Sequence, residues 1–168
     1  MKTTGVEQGF GNAALLDLSL TAFFASRQCP GSAIRAAMDW AVAQAHAKNP
    51  VIGGFHSPLE QSVLKILLTA SAPCVIVVSR KFDQSRLPTD WLQSAQNGTL
   101  AIVGIENTTR RLTTELAARR NDWIAQRATQ IVIGHASAAG TLQKQAEQWA
   151  VEGKQILYLT SVADSKNS

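Results

Sequence analysis

The sequence predicts a three-layer α/β domain of the Rossmann-like kind, a mostly parallel sheet of about six strands with helices on both faces. Three observations lead there. Short apolar runs rich in β-branched or aromatic residues recur along the chain: "LTAFFAS" (20–26), "VIGG" (51–54), "CVIVVS" (74–79), "LAIVGI" (100–105), "IVIG" (131–134) and "QILYLT" (155–160). They do not alternate with polar residues, which marks strands buried on both faces, as in parallel sheets. Most are separated by stretches of 12 or more residues with helical periodicity, long enough for crossover helices.

The intervening stripes follow the i, i+3, i+4, i+7 rule. After the first strand come Ile34, Met38, Ala41, Val42 and Ala45; after the second, Leu59, Val63, Ile66, Leu67 and Ala70. Leu112, Leu116, Trp123 and Ile124 form the third stripe, and Leu142, Ala146, Trp149 and Ala150 the last. The connection from Arg80 to Thr99 is irregular, and "SRLPTDWLQSAQNGT" suggests a short helix closed by Asn97-Gly98. The first ten residues and the polar "ADSKNS" tail read as frayed ends around a core of about 20–160.

At 168 residues with 45% hydrophobic content, the chain suits a single domain, 1–168, with a substantial core. Sixteen Lys and Arg against twelve Asp and Glu give a net charge of +4, which permits an anionic partner without demanding one. Two cysteines, Cys29 and Cys74, have neither metal-ligand spacing nor the density of a disulfide scaffold and suggest a reducing, cytoplasmic setting. The N-terminal segment lacks the pattern of a secretory signal, and no apolar run approaches the length of a membrane span, so neither secretion nor a membrane is expected.

Ligands of open parallel sheets settle beyond the carboxyl ends of the strands. The loops expected at that edge carry Ser26-Arg27, Gly53-Gly54-Phe55-His56-Ser57, Arg80-Lys81 with Arg86, Thr108-Thr109-Arg110-Arg111, and His135 through Thr141. Basic, small and hydroxyl residues thus recur five times at one edge, the signature of an anion site. Ser57-Pro58-Leu59-Glu60 has the form of a capping box with proline at the first helical position. Gly53-Gly54 serves either a tight turn or the approach of a phosphate to backbone donors. The stretch is neither a G-x-G-x-x-G fingerprint nor a Walker loop. Arg110 and Arg111 would oppose the dipole of a helix beginning near Thr109 unless an anion favours them. Arg119 and Arg120 fall close to an apolar stripe, where an arginine needs a fixed partner. His56 and His135 are candidate donors to a phosphate or base, and Trp91 is either core or a base-stacking platform. No acidic cluster suggests a metal, no cofactor is implied, and no nucleophile–base constellation is legible.

"ARRNDWIAQRATQIVIGHASAAGTLQKQAEQWAVEGKQILYL" resembles the second half of the DNA-processing protein A (DprA/Smf) domain, with its Arg-Asn helix start, apolar strand, Ser-Gly loop, alanine-rich helix and final strand. "FFASRQ" and "GGFHSPLEQSVLKILL" are similar to that family's first strand and glycine-rich turn. The resemblance implies a Rossmann-like domain that binds single-stranded DNA in a basic pocket, forms a homodimer and passes DNA to a RecA-type recombinase. It implies phosphate-contacting roles for Ser26, Arg27, Gly53, Gly54, Arg120, Asn121, Ser137, Gly140 and Thr141; the edge-loop reading adds His56, Ser57, Arg80, Arg110 and Arg111. His56-Ser57-Pro58 stands where the family turn carries alanine, arginine and glycine, Asp122 replaces a second arginine, and Gly134-His135 replaces an acidic-alanine pair. The chain also lacks the family's closing loop and winged-helix domain and reads as a minimal, divergent member. The alternative is a nucleotide sensor or a nucleotide-processing enzyme of the LOG type, for which Gly140-Thr141 matches but Lys144 stands in place of the loop glutamate. A third reading is a partner-binding domain whose arginines are tied up by Glu60, Glu106 and Glu115.

Overall fold

The computed structural model describes residues 5–105 and 114–160. Six parallel strands lie where the apolar runs place them: β2 (Leu20–Ala25), β3 (Val51–Gly53), β4 (Cys74–Val78), β5 (Leu100–Ile105), β6 (Ala128–His135) and β7 (Ile156–Tyr158). A further strand, β1 (Val6–Gly11), falls within the segment expected to fray. It runs antiparallel to β5, with Phe10 opposite Ile102. Its sequence, VEQGFG, has two glycines and no apolar run, because an edge strand half in water needs none. The sheet order is β1-β5-β4-β3-β2-β6-β7.

Helices α1 (Gly31–Ala47), α2 (Pro58–Thr69) and α3 (Thr89–Gln96) follow β2, β3 and β4, while α4 (described as Thr114–Arg127) and α5 (Thr141–Val151) follow β5 and β6. Two cores result, one on each side of the sheet. Phe23, Val51 and Ile76 meet α1 and α2, whereas Leu20, Phe24, Ile52 and Val75 meet Ile124 of α4 and Trp149 of α5. The change of side follows from the change of direction across the sheet, since crossovers of one hand must switch faces when the strand order reverses.

On α1 the buried stripe is Ala33, Ala37, Ala41 and Ala45, and the expected Ile34 and Val42 are 44% and 57% exposed. Four alanines in register let this helix lie close to the sheet, with the larger side chains on its flanks. The reversal of strand order falls between β2 and β6, which pair in parallel. Their carboxyl ends therefore form the topological switch point, the usual ligand position in such sheets.

Candidate functional site

At the switch point the chain is tied across the gap. The Ser26 N–H donates to the His135 carbonyl at 2.8 Å, and the Ser137 N–H donates to Ser26 Oγ at 2.9 Å. The Ser137 carbonyl in turn accepts from the Gly140 N–H at 3.0 Å, one residue before α5 begins at Thr141. Ser26, Ser137, Gly140 and Thr141 are thus brought together as the sequence suggested, with part of their hydrogen-bonding capacity used on one another.

The β3–α2 turn carries the capping box. Ser57 Oγ accepts from the Glu60 N–H at 3.4 Å, and Glu60 Oε1 accepts from the Ser57 N–H at 3.2 Å. Glu60 does more than cap. The same oxygen accepts from the His56 N–H at 2.9 Å, and Oε2 accepts from the Ala25 N–H at 2.9 Å, so one carboxylate joins the end of β2 to the turn after β3. Its complete burial pushes the Glu60 carboxyl up, against the pull of these three amides and of Arg120.

Arg120 of α4 acts on this carboxylate through its charge and makes no ion pair with it. It is 5% exposed, and among the described residues Nε and Nη1 have no hydrogen-bond partner. Burial lowers its pKa and the charge of Glu60 raises it. The side chain crosses directly over Gly54: a Cβ there would stand 2.6 Å from Arg120 Nε and 2.9 Å from Cζ. Gly53 leaves similar room for the ring of Phe55, whose Cζ would be 3.1 Å from an added Cβ. Phe55 itself has a φ of 51°, a left-handed conformation that costs a non-glycine residue about 1–2 kcal/mol. The paired glycines therefore accommodate a buried arginine and a folded-back phenylalanine.

His56 marks where the positive charges converge. Burial lowers its pKa first, and then Arg120, Arg80 and Arg27 lower it further. These arginines come from α4, from the end of β4 and from the end of β2, so three distant parts of the sequence put like charge around one imidazole. Arg27 and Arg80 are exposed, whereas Arg120 is buried. Because Glu60 already takes the His56 and Ser57 amides, an anion in this crevice would be held by side chains rather than by the α2 N-terminus. Beside the crevice, and sharing Gly54, His56 and Arg80 with it, lies a cleft of about 500 Å3 between α2 and the Phe82–Trp91 segment.

Asn121 is not brought into this group, since its amide donates to Gln145 Oε1 at 3.2 Å between α4 and α5. Asp122 also faces α5, where Oδ1 accepts from the buried Trp149 indole N–H at 2.8 Å. Arg119 is exposed, and Arg110 and Arg111 lie outside the described residues. Spacing places Glu60 in a capping box and Trp149 on an apolar stripe, but it does not show the bond of Glu60 to Ala25 or that of Trp149 to Asp122. Among the described residues no group of His, Cys, Asp and Glu could hold a metal ion, and no helix is long and apolar enough to cross a membrane.

Topology and crevice together define a Rossmann-like domain with basic residues at the carboxyl edge of its sheet. Solved structures carry this further: DNA processing protein A of Streptococcus pneumoniae matches with a TM-score of 0.74 at 14% identity, covering 94% of this chain and 56% of that one. DNA processing protein A of Helicobacter pylori, described for its single-stranded DNA binding mode, matches with a TM-score of 0.69 at 14% identity, covering 89% of this chain and 69% of that one. The chain thus has a DprA-like Rossmann-like fold and spans little more than half of the pneumococcal protein. The molybdenum cofactor carrier protein of Chlamydomonas reinhardtii also matches, at TM-score 0.57 and 9% identity over 88% of this chain and 79% of that one. No family model and no curated protein matches the sequence.

Proposed function

We propose that the crevice binds the phosphodiester backbone of single-stranded DNA and that the protein acts by binding rather than by catalysis. The observation that carries the reading is the convergence of Arg27, Arg80 and Arg120 on His56 at the carboxyl edge of the sheet. Arg27 and Arg80, being exposed, make the contacts. Arg120 lies too deep for that and serves as a fixed charge, seated in the space over Gly54 and favoured by the charge of Glu60. A planar guanidinium suits phosphate oxygens better than an ammonium does, because it presents several donors in a fixed fork. The DprA-like fold supports this ligand, as the Helicobacter protein is described as binding single-stranded DNA. The reading extends to DNA processing or recombination in the cytoplasm, with a RecA-type recombinase and a second copy of the chain as the partners that the family resemblance implies.

The test is fluorescence anisotropy of a labelled single strand with the native chain, Arg27→Ala and Arg80→Ala, with a duplex as competitor. Native binding that both changes weaken and the duplex displaces poorly agrees with the proposal; binding indifferent to both changes contradicts it. A second reading, a free nucleotide or other phosphorylated heterocycle, is favoured by the cleft beside His56, which has the volume of a small-ligand pocket. The likeness to molybdenum cofactor proteins supports it at the level of fold.

A further inference from the structure

The cleft beside the crevice has two unlike walls and one unused polar group. On one side stand Phe82, Leu87 and Trp91; on the other, α2 presents Leu64, Lys65 and Leu68. The aromatic wall is fixed from behind by the edge strand: Gln8 of β1 donates to the Phe82 carbonyl at 2.7 Å and accepts from the Phe82 N–H at 2.9 Å. Trp91 lies in the first turn of α3, with its N–H donating to the Pro88 carbonyl at 3.1 Å. Ser79, at the end of β4, is the most deeply buried polar residue of the lining, at 3% exposure. Its hydroxyl has no hydrogen-bond partner among the described residues. A buried hydroxyl left unpaired is costly, so a site that keeps one is explained by a ligand that pairs with it.

Largely apolar walls that include two aromatic side chains, one buried hydroxyl and a basic mouth together describe a particular ligand chemistry. The geometry points to this cleft as a slot for one nucleobase of a nucleoside monophosphate unit, whose phosphate rests among Arg27, Arg80 and His56. Trp91 and Phe82 supply the stacking wall, the Ser79 hydroxyl gives the buried edge of the base a directional bond, and the rim charges of Lys65 and Asp90 offer its outer edge one donor and one acceptor. The inference rests on the phosphate reading above and adds the base to it. The unit comes either from a DNA strand with one base turned into the cleft or from a free nucleotide.

Three probes separate these cases: a labelled oligothymidylate, the same strand with abasic sites, and thymidine monophosphate, each titrated against the native chain, Trp91→Ala and Ser79→Ala. Alanine in place of a stacking aromatic lowers affinity roughly 5- to 150-fold. The slot predicts a loss of that size for Trp91→Ala on the base-bearing strand and a much smaller loss on the abasic one. Ser79→Ala, which removes a single buried atom, should weaken the base-bearing strand several-fold and keeps the test open if Trp91→Ala fails to fold. Equal native affinity for the two strands overturns the slot and leaves the phosphate reading standing. Binding of thymidine monophosphate, weakened by Trp91→Ala, with neither strand bound, retains the slot and overturns the DNA reading. If none of the three probes binds, both are overturned.

Discussion

Adding one methyl group at Gly54 should unseat Arg120, and the cost can be worked from the contacts. Gly54 does not occupy the left-handed region, so alanine is permitted there by the backbone. By itself the change would stabilise the protein by about 0.4–1 kcal/mol, because alanine has less freedom than glycine to lose on folding. The new Cβ, however, would stand 2.6, 2.9 and 3.1 Å from Nε, Cζ and Cδ of Arg120, which are interior atoms of a side chain 5% exposed. Overpacking of this kind costs about 1–3 kcal/mol. Gly54→Ala should therefore destabilise by up to roughly 2.6 kcal/mol net, and in an Arg120→Ala background it should become neutral or stabilising. Urea unfolding of the four proteins gives the coupling directly, expected at about 1–3 kcal/mol. Additive costs, or a Gly54→Ala protein more stable than the native one, would refute the claim that the glycine exists to seat the arginine.

Glu60→Gln leaves a single acceptor oxygen for three amide donors and turns an NH2 toward at least one of them, so a loss of about 1–3 kcal/mol in urea unfolding is expected for each amide left unpaired. Asp122→Ala removes the acceptor of the buried Trp149 indole and should cost about 1–2 kcal/mol in the same assay. The folded pKa of His56 lies below its ordinary 6.5, so the unfolded chain takes up the proton first and this contribution to stability, full above 6.5, is lost as pH falls toward the folded value. A bound phosphodiester, itself without a titration there, favours the imidazolium; affinity for a single strand should rise over that same fall in pH, and His56→Gln should flatten both trends. Ser79→Ala relieves an unpaired buried hydroxyl and should leave thermal stability unchanged or raise it, a result incompatible with a purely structural hydroxyl.

The six parallel strands were legible because each is a short apolar run, and the helix start at Ser57 because proline, capping residue and glutamate stand at fixed offsets. β1 was not, since an edge strand with Gly9 and Gly11 carries no such run, yet its Gln8 fixes the wall of the cleft. Arg120 was visible as a charge near an apolar stripe, and it alone of the adjacent arginine pair is buried. Its approach to Gly54 depends on how the crossover into β6 returns over the sheet, which local spacing does not encode. Asp122 reads as a reversal of charge in a basic motif until Trp149 is seen to donate to it. The glycine pair reads as a tight turn or as room for a phosphate, and in the fold an arginine and a phenylalanine of the protein itself stand close to it.

Phosphate held by arginine side chains is tested most directly by the salt dependence of single-strand binding. Each neutralised phosphate on a single strand contributes a log–log slope of roughly −0.7. Contacts by Arg27 and Arg80 predict that each single alanine change makes the slope shallower by about 0.7, and the double change by about 1.4. A slope that stays the same in both variants, or a native chain that binds no strand even at low salt, would contradict the account.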